Sequence, residues 1–141
     1  MTLTRVYRFS ASHRLHAAAL SAERNQAVYG RCNNPHGHGH NYRLEVSVEG
    51  AVDAQTGQLV DRHRLDEAVH QAVIRDFDHR DLNREVPEFA GRVPTTEVVS
   101  EVVQARLRAV WPRAFPENTT RLARVRIYET RNNVFEVVLQ S

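Results

Sequence analysis

The 141-residue sequence holds one cysteine, one methionine, one tryptophan and no lysine. A single thiol, Cys32, excludes an intrachain disulfide and leaves that residue either a small buried hydrophobe or a reactive group. Without lysine, the basic side chains are arginines, and they are interleaved with acids rather than gathered in runs. The net charge is only +2, and no RNA-binding motif occurs, which argues against a nucleic-acid partner. No stretch is apolar enough to span a bilayer, so no membrane partner is expected. Met1 to Arg8 lacks the apolar centre of a signal peptide, which makes the cytoplasm the expected compartment. No repeat, low-complexity tract or linker interrupts the chain. With 41% hydrophobic and 26% charged residues, residues 1–141 are expected to form a single domain around one core.

What is present reads as strands at both ends and helices between. Leu3, Arg5, Tyr7, Phe9 and Ala11 alternate with Thr4, Val6, Arg8 and Ser10, the period of a strand. Leu15 to Gln26 is short and polar, a loop or brief helix, and Tyr29 to Pro35 is an irregular loop. From His40 to Val48, Tyr42, Leu44, Val46 and Val48 share one face, and Arg43, Glu45, Ser47 and Glu49 the other. Gly50 to Gly57 turns, and Leu59-Val60 adds a short strand piece.

Leu65, Ala68, Val69, Ala72 and Val73 recur at helical spacing, with Asp61 as N-cap and an end near Phe77. Thr95 caps a second helix with the stripe Val98, Val99, Val102, Val103, Leu107 and Val110, closed by Pro112. Arg121–Thr130 and Val134–Leu139 are two further strands, joined by a tight turn at Asn132-Asn133. The order predicts an α+β fold: a four-stranded antiparallel sheet with two helices on one face. The opposite face would be left open, so neighbouring subunits are expected to cover it.

Three of the eight histidines, His36, His38 and His40, fall within five residues, separated by Gly37 and Gly39. In a strand, His38 and His40 point to the same side and can share a metal ion. The glycines let backbone approach closely. A catalytic zinc site wants three protein ligands and one open position. His13, on the Phe9 and Ala11 side of the first strand, is the best third ligand. The alternative is a polar loop, or a histidine-rich tract that binds metal adventitiously. His63 and His70 are expected to face solvent, and His16 has no evident partner.

Cys32 lies six residues before His38; near a divalent cation and arginine its pKa would fall and it could exchange protons near neutrality. A buried inert thiol is the other reading. In Asp78-His79 a carboxylate can fix the imidazole tautomer, or His79 can simply meet a helix dipole. Glu129 shares a face with Val125 and Ile127. It is either a carboxylate at a strand end or an acceptor for a planar ligand with adjacent N–H groups. Thr95, Thr96 and Glu97 read first as a helix cap and second as ligand contacts.

Together these segments resemble the 6-pyruvoyl-tetrahydropterin synthase family, which includes the 6-carboxy-tetrahydropterin synthases. The matching pieces are Phe9-Ser10-Ala11-Ser12-His13-Arg14-Leu15, the stretch Gly30 to Tyr42, Asp78-His79 followed by Leu82, Pro94-Thr95-Thr96-Glu97, and Tyr128 to Asn133. They span nearly the whole chain. His36-Gly37-His38 also reads as a His-Gly-His pair, but Asn41-Tyr42 anchors the pair to His38 and His40.

The resemblance implies zinc held by His13, His38 and His40, and Cys32 as base with Asp78 and His79 as its relay. It implies that Glu129 anchors a pterin, with Thr95, Thr96 or Glu97 nearby. It also implies the tunnelling fold, in which subunits form a barrel and a homohexamer arises as a dimer of trimers. The implied substrate is 7,8-dihydroneopterin triphosphate. Five residues, Asn33 to Gly37, separate Cys32 from His38, which tilts toward the pyruvoyl product, with the carboxy product of the queuosine pathway as runner-up. A non-catalytic metal-binding module and a zinc hydrolase are the rival readings, but neither has a use for Cys32 and Glu129.

Overall fold

The computed structural model describes residues 1–140. Alternation builds its sheet. In β1 (Thr2–His13) the odd residues turn inward, ending in buried Phe9, Ala11 and His13. β2 (His38–Gly50) runs antiparallel to it, with Phe9 opposite Tyr42, Ala11 opposite His40 and His13 opposite His38. Cross-strand partners share a face, so the histidines continue the row that Phe9 and Tyr42 begin. β4 (Thr120–Tyr128) follows β2 through a bulge at Ser47/Val48, and β5 (Val134–Val138) closes that side.

The sheet is five-stranded and mixed, in the order β3-β1-β2-β4-β5, not four-stranded and antiparallel. The extra strand is β3 (Arg80–Asp81), parallel to β1 at Ala11 and Ser12. Two residues carry no periodicity, so the sequence shows no sign of it. Leu59-Val60 forms no strand.

α1 (Ala22–Tyr29) is capped by Ser21 and leads into a 3₁₀ turn, Gly30–Asn33. The helical run over 62–77 starts at its Asp61 cap and comprises α2 (Arg62–Val69), a wide π turn (His70–Ile74) and α3 (Arg75–Phe77). α4 (Leu82–Glu85) is a single turn. α5 (Thr96–Ala114) carries Pro112 inside its last turn rather than ending there. The N–H of Phe115 donates to Trp111 at 2.8 Å beyond the proline, and the two rings pack at 4.7 Å.

Leu65, Val69 and Val73 of the first helical run meet Val99, Val103 and Leu107 of α5 over Tyr42, Leu44, Val46, Val125 and Ile127 of the sheet. Each fully buried leucine or valine contributes about 2 kcal/mol. No helix among the described residues is long and apolar enough to cross a membrane.

The other sheet face is a charge lattice. Glu45, only 6% exposed, receives Arg43 at 2.7 Å and Arg126 at 3.6 Å. Both guanidiniums lie over Tyr128, at 4.9 and 5.5 Å from its ring centre. Residues 129–133 join β4 to β5 without a two-residue turn, because neither Asn132 nor Asn133 has positive φ. The Thr130 hydroxyl instead accepts both of their N–H groups at 3.2 Å.

Candidate metal and active site

His13 is fully buried at the last position of β1. Its Nδ1 lies 2.8 Å from the carbonyl oxygen of Pro94, so Nδ1 carries the proton and donates it. That bond fixes the tautomer with the lone pair on Nε2 and orients the ring, the arrangement found behind metal-ligating histidines. His13 Nε2 and His40 Nε2 are both buried without a hydrogen-bond partner. The two rings stand 5.0 Å apart, edge to face. Burial holds both imidazoles below the usual histidine range, hence neutral and competent to bind a cation.

The Cys32 sulfur joins them: ligand atoms of His13, Cys32 and His40 all lie within 4.8 Å of one another. This is the group among the described residues that fits a metal ion. Soft sulfur with two imidazoles suits zinc chemistry. His38 is adjacent but outside that set. Its ring is 4.8 Å from His40 and makes no hydrogen bond, so no partner fixes its orientation. The expected triad of His13, His38 and His40 thus meets a structure that converges on His13, His40 and Cys32.

The glycines divide. Gly37 has φ +80°, and a side chain there would press within 3.2 Å of the His13 carbonyl. Gly39 has ordinary backbone and only a distant neighbour, so it is not required for close approach within the chain. His36 is exposed in the loop.

Burial pushes the Cys32 thiol up, and Glu129 adds to the shift. The expected depression therefore has no source among this chain's own side chains. The hydroxyl of buried Tyr42 is likewise raised, by burial first and then by Glu129 and Cys32.

Glu129 follows β4 directly and accepts the hydroxyl of buried Thr96. Thr95 caps α5, accepting the N–H of Val98 at 3.3 Å, while Glu97 is exposed in the first helical turn. One short motif thus provides the carbonyl that orients His13, the cap of α5 and the hydroxyl that holds Glu129. The Pro94 carbonyl was not foreseeable, since a backbone group leaves no mark in residue identities.

Asp78 and His79 do touch. Asp78 Oδ1 lies 3.1 Å from His79 Nδ1. Both are tied to β1, where Asp78 accepts the Ser10 N–H at 2.9 Å and the His79 N–H donates to the Ser10 carbonyl at 2.6 Å. The Ser10 bond is the main reason the Asp78 carboxyl sits below its usual range. None of these bonds reaches Cys32, and the His79 ring is 81% exposed. A concavity of about 490 Å³ lies at the opposite end of β2, lined by residues such as Ala51, Val60 and Phe115, away from these groups.

Comparison with known proteins identifies the family. A family described as 6-pyruvoyl tetrahydropterin synthase matches residues 2–139. The 6-pyruvoyl tetrahydrobiopterin synthase of Poecilia reticulata is 40% identical over 132 residues, covering 94% of this chain and 86% of that protein. The Homo sapiens protein of the same name is 41% identical over 126 residues, covering 89% and 83%. The solved structure of Caenorhabditis elegans 6-pyruvoyl tetrahydropterin synthase superposes with a TM-score of 0.88 at 35% identity, covering 99% of this chain and 96% of that one. With agreement over almost its full length in sequence and in fold, the chain belongs to the 6-pyruvoyl tetrahydropterin synthase family.

Proposed function

We propose that this chain is a zinc-dependent lyase that converts 7,8-dihydroneopterin triphosphate to 6-pyruvoyl-tetrahydropterin with loss of triphosphate. The observation that carries the reading is the His13 tautomer. With Nδ1 committed to Pro94, Nε2 turns to the same place as the unpartnered His40 nitrogen and the Cys32 sulfur. His13 and His40, joined by His38 after a side-chain rotation, would hold the ion. When bound there, zinc supplies stabilisation of negative charge on the substrate's side-chain oxygens.

The reaction balances within the substrate. The ring N5=C6 bond is reduced as the first side-chain carbon becomes a ketone. Triphosphate leaves from the third carbon, which becomes a methyl group as the second becomes a ketone. No external oxidant is required, only protons moved between carbon and nitrogen. Cys32 is the group for that transfer. Glu129, held by Thr96, would accept adjacent N–H groups of the pterin, and Thr95 and Glu97 flank that anchor.

Asp78 and His79 would relay protons to the Cys32 of a neighbouring subunit, since their bonds run to β1 and to each other. That division of labour fits a homohexamer of two trimers whose sheets close a barrel. Val6, Val134 and Val138, exposed on the outer sheet face, add apolar surface to such contacts.

The test is turnover by the zinc-loaded protein. Triphosphate release from dihydroneopterin triphosphate is expected, with loss of about 100-fold or more in Cys32→Ala. Mass analysis of the pterin identifies the product. A 6-carboxy-pterin formed with acetaldehyde would replace the pyruvoyl assignment, and phosphate release with an intact side chain would end the lyase reading.

A further inference from the structure

The three atoms that converge at the site do not hold one another in place. No hydrogen bond links the His13, His40 and Cys32 side chains, so their spacing has to come from the residues behind them. Those residues are unusual. After His13 the chain leaves the sheet, and Arg14 to His16 have no strand partner.

Two asparagine side chains take that place. Asn83 accepts the Arg14 N–H at 2.7 Å and donates to the Arg14 carbonyl at 2.9 Å, an imitation of a strand pair by one amide. Asn33, 8% exposed, donates to the Leu15 carbonyl at 2.7 Å and lies 3.0 Å from His16 Nδ1. Two bonds run the other way. The Leu15 N–H donates to the Cys32 carbonyl at 2.7 Å, and the Arg14 side-chain Nε donates to the Asn33 carbonyl at 3.2 Å.

Asn83 is itself anchored. Its N–H donates to the Asp81 carboxylate that caps α4, and neighbouring Leu82 is fully buried. Asn33 follows Cys32 in the same 3₁₀ turn. One amide therefore grips the backbone next to His13, and the other ties the Cys32 turn to that same segment.

We infer that Asn33 and Asn83 are positioning residues that set the spacing between the Cys32 sulfur and the His13 ring. The inference rests on the reading of His13 as a ligand and Cys32 as the reactive thiol. An amide suits the task because it offers a donor and an acceptor in one plane. A buried irregular backbone left without such partners would shift to find others.

The test uses two variants of similar outline. Asn33→Leu removes the donor, and Asn83→Asp turns the donor facing the Arg14 carbonyl into an acceptor. Asn33→Asp replaces the first where leucine prevents folding. Three readings are taken on the full chain: zinc affinity by chelator competition, the rate at which iodoacetamide alkylates its single cysteine, and kcat with KM.

Asn83→Asp is expected to weaken zinc binding about tenfold or more, the usual effect of losing a group behind a ligand. Asn33→Leu is expected to change the alkylation rate of Cys32 and to lower kcat about 100-fold with KM little moved, as a misplaced reacting group does. Variants that melt lower but keep the parent's zinc affinity, alkylation rate and kcat would overturn the inference, since the amides would then only stabilise the fold. A parent protein inactive on the pterin would count against the proposed reaction instead, and zinc affinity and alkylation would still decide the role of the amides.

Discussion

The carboxylate of Asp78 accepts the backbone N–H of Ser10 at 2.9 Å, and the next residue, His79, takes a left-handed conformation with φ +60° while its N–H donates to the Ser10 carbonyl. The Asp78 carboxylate and the His79 N–H together occupy both backbone polar groups of Ser10 at the point where β3 begins.

A non-glycine residue in this region is strained by about 1 kcal/mol or more. His79→Gly is therefore expected to raise stability by about 1 kcal/mol in denaturant unfolding. The same variant is expected to lose most turnover if His79 relays protons. A substitution that stabilises while it inactivates would mark the strain as one kept for function.

Gly37 and Gly39 provide a matched pair. Gly37→Ala is expected to cost about 2 kcal/mol, because positive φ and the His13 carbonyl both oppose a side chain. Gly39→Ala is expected to stay within about 0.5 kcal/mol in folding stability, having neither obstacle. Thermal melts of the two proteins distinguish them.

Arg106 is the least exposed of the ion-paired arginines, at 18% against 38% for its partners Asp76 and Glu88. It bonds Glu88 at 2.5 and 2.7 Å, Asp76 at 2.7 Å and the Ala72 carbonyl at 3.0 Å, and lies over the Phe77 ring. Its hydrogen bonds are the largest cause holding Asp76 and Glu88 below the usual carboxylate range. A depressed folded-state pKa means that the unfolded chain takes up protons first on acidification. The stabilisation is therefore complete above about pH 4.5 and is lost as pH falls through the folded-state values. Arg106→Met is expected to destabilise by about 1 kcal/mol at neutral pH, since solvent screens the partly exposed carboxylates. Unfolding midpoints between neutral and acid pH should then fall less steeply than in the parent.

Zinc should stabilise the folded chain by mass action. At free metal about 100 times its Kd the gain is about 2.7 kcal/mol. A chelator is expected to remove it, and His13→Ala to abolish the response. An unchanged melting curve on adding zinc would count against His13 as a ligand.

Local chemistry written into neighbouring residues was legible from the sequence. Strand alternation put His13 on the side of Phe9 and Ala11 and put His38 and His40 on one side of their own strand, and the caps at Asp61 and Thr95 announced two helices. Those signals depend on residues a few positions apart, so the order of types carries them. Tertiary structure alone decided the partners that are backbone groups or distant amides. The Pro94 carbonyl that sets the His13 tautomer, the β3 bridge to β1 and the asparagines behind His13 and Cys32 lie outside any local period. The thiol shows the division best. The sequence ties a lowered Cys32 pKa to a nearby divalent cation and arginine, whereas within the folded chain burial, a property of packing and of no single residue, pushes the thiol up.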